Sequence, residues 1–235
     1  MNSLTKRFSS FVKAISDQPY YRIFALPNES NGKVVSTEEQ CIRDILHNPP
    51  NKRWAGFGVT GLLERDEHQW EEGIEGSNVT GGKITLLRDG YFEVLCPINI
   101  QFQRGWCSPQ FAIPNSVKWL YPYVVIEFPV SFMRLVKDIY DKSGIDSGVT
   151  IEQYYHNITE YALPEGPPTY PTFGAFIDER GVYEGASPIH SVQQIRNDFI
   201  PDHVAYDLVA DVYSKFGLGA KAIPAFDENK RFILV

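Results

Sequence analysis

Trp54-Ala-Gly-Phe-Gly-Val-Thr-Gly-Leu-Leu, followed by Ile84-Thr-Leu-Leu-Arg-Asp-Gly-Tyr-Phe-Glu-Val-Leu, is the stretch that decides the fold class. Short apolar segments rich in β-formers alternate with glycines, which is the pattern of a sheet rather than of helices. At its centre Asp89-Gly90 suits a tight turn that needs positive φ, so a hairpin is expected over 84–95. The β-rich middle runs to about residue 102.

Outward from that hairpin the periodicity changes. Leu4, Phe8, Phe11, Val12 and Ile15 recur at helical spacing, and residues 20–26 read as a strand halted at Pro27. Ser36-Thr-Glu-Glu has the form of a capping box, opening a helix that presents Cys41, Ile42, Ile45 and Leu46 and stops before Pro49-Pro50. Residues 123–128 read as a strand. Pro129 then suits a first helical position, ahead of an apolar face made by Phe132, Leu135, Val136, Ile139 and Tyr140. Residues 149–163 favour a long strand, 164–171 a proline-rich connector and 172–183 a second hairpin. Ser187-Pro188 suits a helix start. Pro201 precedes a final helix with Ala205, Leu208, Val209, Val212 and Phe216 inward and Gly217 and Gly219 at its end; residues 232–235 form a last short strand. The expected fold is α+β, a mainly antiparallel sheet with packed amphipathic helices. It occupies 1–235 as a single domain, with a join between two lobes near 103–122 as the alternative.

Composition narrows the function classes. Hydrophobic residues make up 43% and charged residues 22%, as in ordinary globular chains, which excludes a disordered polymer. The 29 acidic against 22 basic residues leave a net charge of −7, which repels a phosphate backbone. Lys6-Arg7 and Lys52-Arg53 are too short to reverse that, so direct nucleic-acid binding is not expected. The three cysteines, Cys41, Cys96 and Cys107, form no close pair, which argues against structural zinc and a disulfide framework. The chain has neither the apolar core of a signal peptide nor a run of membrane-spanning length, so a reduced, cytoplasmic protein is expected.

Chemical motifs are sparse. Gly56, Gly58 and Gly61 satisfy G-x-G-x-x-G, but a dinucleotide fingerprint must follow a strand and open a helix, and β-type residues follow here. A bulged strand fits better. His203, Asp207 and Asp211 recur every four residues on one helical face, a set of donors that suits Mg²⁺ or Mn²⁺; a solvated helix face is the bland alternative. Glu152, His156 and Glu160 share a face if their segment is a strand, but are then spread too far along it to chelate one ion. Arg53, Trp54, Trp70 and Trp106 lie near polar or flexible segments and suit a pocket for a small molecule or a peptide. Trp119 belongs to the same group, although tryptophans in a sheet protein also serve as core anchors. Cys107 would need a base such as His68 or His190 beside it to act as a nucleophile, and is read as an inert thiol.

Several segments together carry a family likeness: Tyr21-Arg-Ile-Phe-Ala-Leu-Pro, Arg53-Trp-Ala-Gly-Phe, Gly82-Lys-Ile-Thr-Leu-Leu-Arg-Asp-Gly-Tyr-Phe-Glu, Phe132-Met-Arg-Leu-Val-Lys-Asp-Ile-Tyr, Gly148-Val-Thr-Ile and Val212-Tyr-Ser-Lys-Phe-Gly. Their order resembles the region C-terminal to the Schlafen/Alba-type DNA-binding domain of bacterial predicted regulators. The resemblance spans the chain from about residue 19 onward and implies an accessory or sensing role, often beside mobile-element or defence genes. It brings no catalytic motif. The chain departs from that pattern in lacking the DNA-binding domain, which weighs against a transcriptional role, as does the acidic charge. The expected function is a non-catalytic module without a cofactor, cytoplasmic and not membrane-bound. Through an aromatic, partly acidic surface it would bind a partner protein, a second copy of itself or a small ligand. The alternative is a divalent-metal-dependent hydrolase or nuclease using His203, Asp207 and Asp211.

Overall fold

The computed structural model describes residues 18–29, 34–47, 67–77, 82–98, 118–163 and 181–233. The expectations for residues 4–15, for the glycine run 54–63, for the connector 164–171 and for most of the 172–183 hairpin lie outside them. Among the described residues seven strands form one sheet in the order β2-β3-β4-β5-β1-β6-β7, with every neighbouring pair antiparallel. The strands are β1 (Tyr20–Pro27), β2 (His68–Trp70), β3 (Gly73–Ser77), β4 (Lys83–Leu87), β5 (Phe92–Pro97), β6 (Val149–His156) and β7 (Ile189–Ile195). Three α-helices among the described residues accompany them: α1 (Gln40–His47), α2 (Pro122–Ser143) and α3 (Pro201–Lys215). The fold class is α+β, as the sequence led us to expect.

The hairpin that opened the sequence reading is β4–β5. Leu87 N–H donates to the Tyr91 carbonyl at 2.8 Å, and the Asp89 carboxylate accepts from the Tyr91 amide at 3.0 Å. Gly90 sits at φ 89°, the region that side chains with a Cβ avoid. From this turn the meander β2–β5 delivers β5 to one edge of β1, while β6 takes the other edge.

Period-two alternation then gives the sheet two unlike faces. On one, Tyr21 stands beside Cys96 and Tyr155, Ile23 beside Val94 and Gln153, and Ala25 beside Phe92 and Ile151. The helices cover this face: Phe92 stacks on Phe132 at 5.2 Å, Tyr21 meets Phe128 edge-on, and the Gln153 amide donates to the Leu208 carbonyl of α3 at 2.8 Å. Tyr140 of α2 closes the far end by donating to the Gly90 carbonyl at 2.7 Å. The opposite face carries Tyr20, Arg22, Phe24, Glu93, Glu152, Tyr154, His156 and His190.

Four local expectations change. Residues 123–128 are helical, not extended: α2 begins at Pro122, whose missing N–H costs nothing at a helix start, and Pro129 lies inside the helix. Fourteen of the 22 residues of α2 are buried, and burial of Val124, Val125 and Ile126 on several sides overrides their β preference and the Pro129 penalty of about 3 kcal/mol. The strand expected over 149–163 ends at His156, because Asn157 and Glu160 adopt left-handed φ of 57° and 68° and turn the chain. Residues after Pro188 form β7 instead of a helix; Ile189 and Ser191 are buried while His190 and Val192 are exposed, a period of two. Near the C-terminus the described part of the expected last strand pairs through a single bridge between Phe226 and Phe232.

The helix ends follow the expected chemistry more closely. Ile42 and Leu46 of α1 are buried, although the Glu39 amide bonds to the Ser36 backbone carbonyl (3.0 Å) where a capping box would use the hydroxyl. α3 starts at Pro201, buries Ala205, Leu208, Val209 and Val212, and ends with Gly217 at φ 73°. Leu218 N–H then bonds the Tyr213 carbonyl and Gly217 N–H the Ser214 carbonyl, the paired bonds of a Schellman end. No helix among the described residues is long and apolar enough to cross a membrane.

The β4–β5 turn generates a test. A Cβ on Gly90 would lie 2.8 Å from both Ile145 Cδ1 and Pro27 Cγ, in addition to the left-handed strain. Gly90→Ala is expected to lower unfolding stability by about 1–2 kcal/mol, read as a lower urea midpoint at unchanged slope.

Candidate functional site

The sheet face turned away from the helices holds a small apolar cluster of its own, Phe24, Leu87 and Tyr91, with Trp70 and Tyr154 packed against it. The cross-strand register makes this face one surface. Phe24 pairs with Glu93 and Glu152, Arg22 with Leu95 and Tyr154, and Tyr154 with His190, so all of these side chains project the same way.

Aromatic rings stand on it in near-parallel array. The Tyr154 and His190 rings are 4.2 Å apart and 8° from coplanar in orientation; Tyr154 and His156 are 5.6 Å apart, and His156 stacks on Tyr20 at 4.2 Å. The Arg22 guanidinium lies 4.5 Å from the Phe24 ring centre and 5.7 Å from that of Tyr154. Carboxylates bind the array together. Glu152 accepts from the Tyr154 hydroxyl at 2.5 Å and lies 2.9 Å from His190 Nε2. Glu93 pairs with Arg22 at 2.6 Å and accepts from the Tyr91 hydroxyl at 2.8 Å, while Arg22 also donates to the Tyr91 oxygen at 3.1 Å.

Burial divides this face into an inner part and an outer part. Glu93 and Arg22 are largely withdrawn from water, so their pairing answers the cost of burying either charge alone. Burial, reinforced by the Glu93 charge, pushes the Tyr91 hydroxyl upward and keeps it a donor. Towards β7 the surface opens: the His190 side chain is 41% exposed, Tyr154 and His156 are half-buried, and Val192 is exposed. Burial, then the bond to Glu152 and its charge, push Tyr154 up to about 12, so it donates and does not act as a base at neutral pH. Burial, then the charges of Arg22 and His190, hold His156 down at about 4, so it is a neutral ring at pH 7. The contacts of His190 on this face are the Glu152 carboxylate and the Tyr154 ring. What the surface offers is π-faces, a carboxylate rim and hydrogen-bonding rings.

The residues singled out from the sequence fall in different places. Trp70 is at the edge strand β2, stacked with His68 at 6.0 Å and packed against the apolar cluster of this face. Arg53, Trp54, Trp106 and Cys107 lie outside the described residues. Trp119 is a core anchor, buried beside Ala162. His203, Asp207 and Asp211 share α3, but their carboxylates serve two different neighbours. Asp207 pairs with Lys230 at 2.7 Å, and Asp211 accepts from the Ser191 hydroxyl of β7. Among the described residues no three His, Cys, Asp or Glu side chains are gathered to hold an ion. Glu152 and His156 do share a face of β6, on either side of Tyr154, whereas Glu160 lies past the strand and pairs with Lys118 at 3.0 Å.

Sequence reasoning missed Tyr20, Arg22, Tyr154 and His190 as a group. The alternation of Glu152, Tyr154 and His156 was a usable signal within β6. His190 joins them only through the β6–β7 register, which a helix expectation at Pro188 concealed.

Two measurements check this account. Unfolded His156 titrates near 6.5, above its folded value of about 4. Between those values the unfolded chain binds a proton that the folded chain refuses, so stability falls as pH drops through that window and the effect vanishes above about 6.5. His156→Phe, which keeps a ring against Tyr20, should flatten that part of the urea-midpoint profile. Separately, Mg²⁺ or Mn²⁺ should leave the melting temperature unchanged, since Asp207 and Asp211 are engaged elsewhere; a rise abolished by His203→Ala would restore the metal reading.

Compared with known proteins, the chain matches no family model, no curated protein and no solved structure.

Proposed function

We propose that the protein is a non-catalytic binding module whose outer sheet face receives a planar cationic group, an arginine side chain of a partner protein above all. The observation that carries this reading is the stack of Tyr154 on His190 with Glu152 at its rim. A guanidinium lies flat on such rings and pairs with a carboxylate in its own plane. The net charge of −7 adds long-range attraction for a basic segment and disfavours phosphate-bearing ligands. Arg22 already lies 5.7 Å from the Tyr154 ring centre with its charge answered by Glu93, so the incoming group takes the His190 side of the stack. An accessory role in a regulatory or defence system rests on the sequence resemblance and is part of the proposal.

The test is an NMR titration with a short peptide containing one arginine, set against the same peptide with lysine. Saturable shifts should centre on the Tyr154, His156 and His190 rings and favour arginine. Tyr154→Ala should weaken binding about tenfold or more, with its circular dichroism unchanged. Shifts that do not saturate, or that survive in Tyr154→Ala, would sink the reading.

A further inference from the structure

β7 is the last strand of the sheet, and its outer edge is unusual in what it lacks. Sheet edges are ordinarily protected by shortness, charge, proline or a bulge. β2, at the opposite edge, is only three residues long. β7 runs for seven residues, Ile189-His-Ser-Val-Gln-Gln-Ile, with no Lys, Arg, Asp, Glu or Pro. It pairs with β6 on its inner side, and among the described residues its backbone makes no further recorded hydrogen bond. Val192, at its centre, is 47% exposed on the outer sheet face.

We infer that this edge pairs with a second copy of the chain, β7 against β7 antiparallel about a two-fold axis at Val192. The strand's own sequence points to that occupant. With Val192 facing its copy, Ile189 falls opposite Ile195, His190 opposite Gln194 and Ser191 opposite Gln193. Every cross-strand pair is then apolar on apolar or polar on polar, and no like charges meet. Ile189 and Ile195 lie on the helix-covered face, so their pairing continues the core across the axis, while the two valines cover each other on the outer face. The arrangement is isologous and closed, and it removes the exposed edge. It also brings the two Tyr154–His190 stacks onto one continuous surface, with the two β6 strands separated by three strand spacings, about 14 Å.

The experiment uses the full chain. Sedimentation should give a reversible dimer. Val192→Lys, at a position exposed in the single chain, should yield a folded monomer with unchanged circular dichroism. A second variant does not depend on that loss: Val192→Cys places two thiols face to face on the axis, within the Cα spacing a disulfide needs. Under mild oxidation it should cross-link far faster than the parent chain or Ile200→Cys, a control at another exposed position. A monomeric parent chain, a Val192→Lys variant that still dimerises, or Val192→Cys cross-linking no faster than the controls would each overturn the pairing. None of these outcomes depends on arginine binding, so this inference and the proposed function fail separately.

Discussion

β1 is hydrogen-bonded along both edges and packed on both faces, and the rest of the molecule takes its position from that strand. Its even-numbered residues from Tyr20 to Phe24 face one way and its odd-numbered residues from Tyr21 to Ala25 the other. A one-residue slip against either neighbour would put Arg22 into the helix-covered core and Ile23 onto the outer face. The register of β5 and β6 is therefore tied to the cost of burying a charge on the wrong side.

Polar groups in otherwise apolar layers add a second constraint on the same geometry. Gln153 is fully buried, yet its amide reaches the Leu208 carbonyl and its oxygen faces the Tyr21 hydroxyl at 3.4 Å. Ser191 reaches Asp211 on the same helix. These contacts set where α3 docks along β6 and β7, because a shift would leave buried polar atoms without partners. Between the helices, Arg134 of α2 holds Asp202 in the first turn of α3 with two hydrogen bonds of 2.9 and 3.0 Å, and Asp202 also accepts from the Phe232 amide. One carboxylate thus joins α2, the start of α3 and the C-terminal segment, where it also meets the positive end of the α3 dipole.

The outer face uses the opposite arrangement. Its polar and charged groups are paired laterally within the sheet, Arg22 with Glu93 and His190 with Glu152, so that they share one surface with the ring faces, and no helix of the described residues lies over the Tyr154–His190 end. Such a surface resists collapse into the core while keeping aromatic area available, the combination a recognition face requires. The Arg22–Glu93 and His190–Glu152 contacts also differ in burial. The inner one stabilises the sheet, and the outer one leaves the Glu152 side chain partly exposed.

Much of this was legible in the chain alone. The 84–95 hairpin, the helix ending before Pro49, the apolar face of α3 and its glycine end depend on interactions within a few residues, where turn chemistry and periodicity act. Residues 123–128 were not legible, because an apolar β-branched run serves equally as a buried strand or a helix packed on several sides. The outer face was not legible either: Arg22 meets Glu93 across 71 residues, and His190 meets Glu152 across 38. The amino-acid sequence by itself determined the α+β class and the turns that make the sheet antiparallel. Only the tertiary structure decided which strands lie side by side, and so which rings and carboxylates share a surface, because register is set by burial summed over the whole sheet.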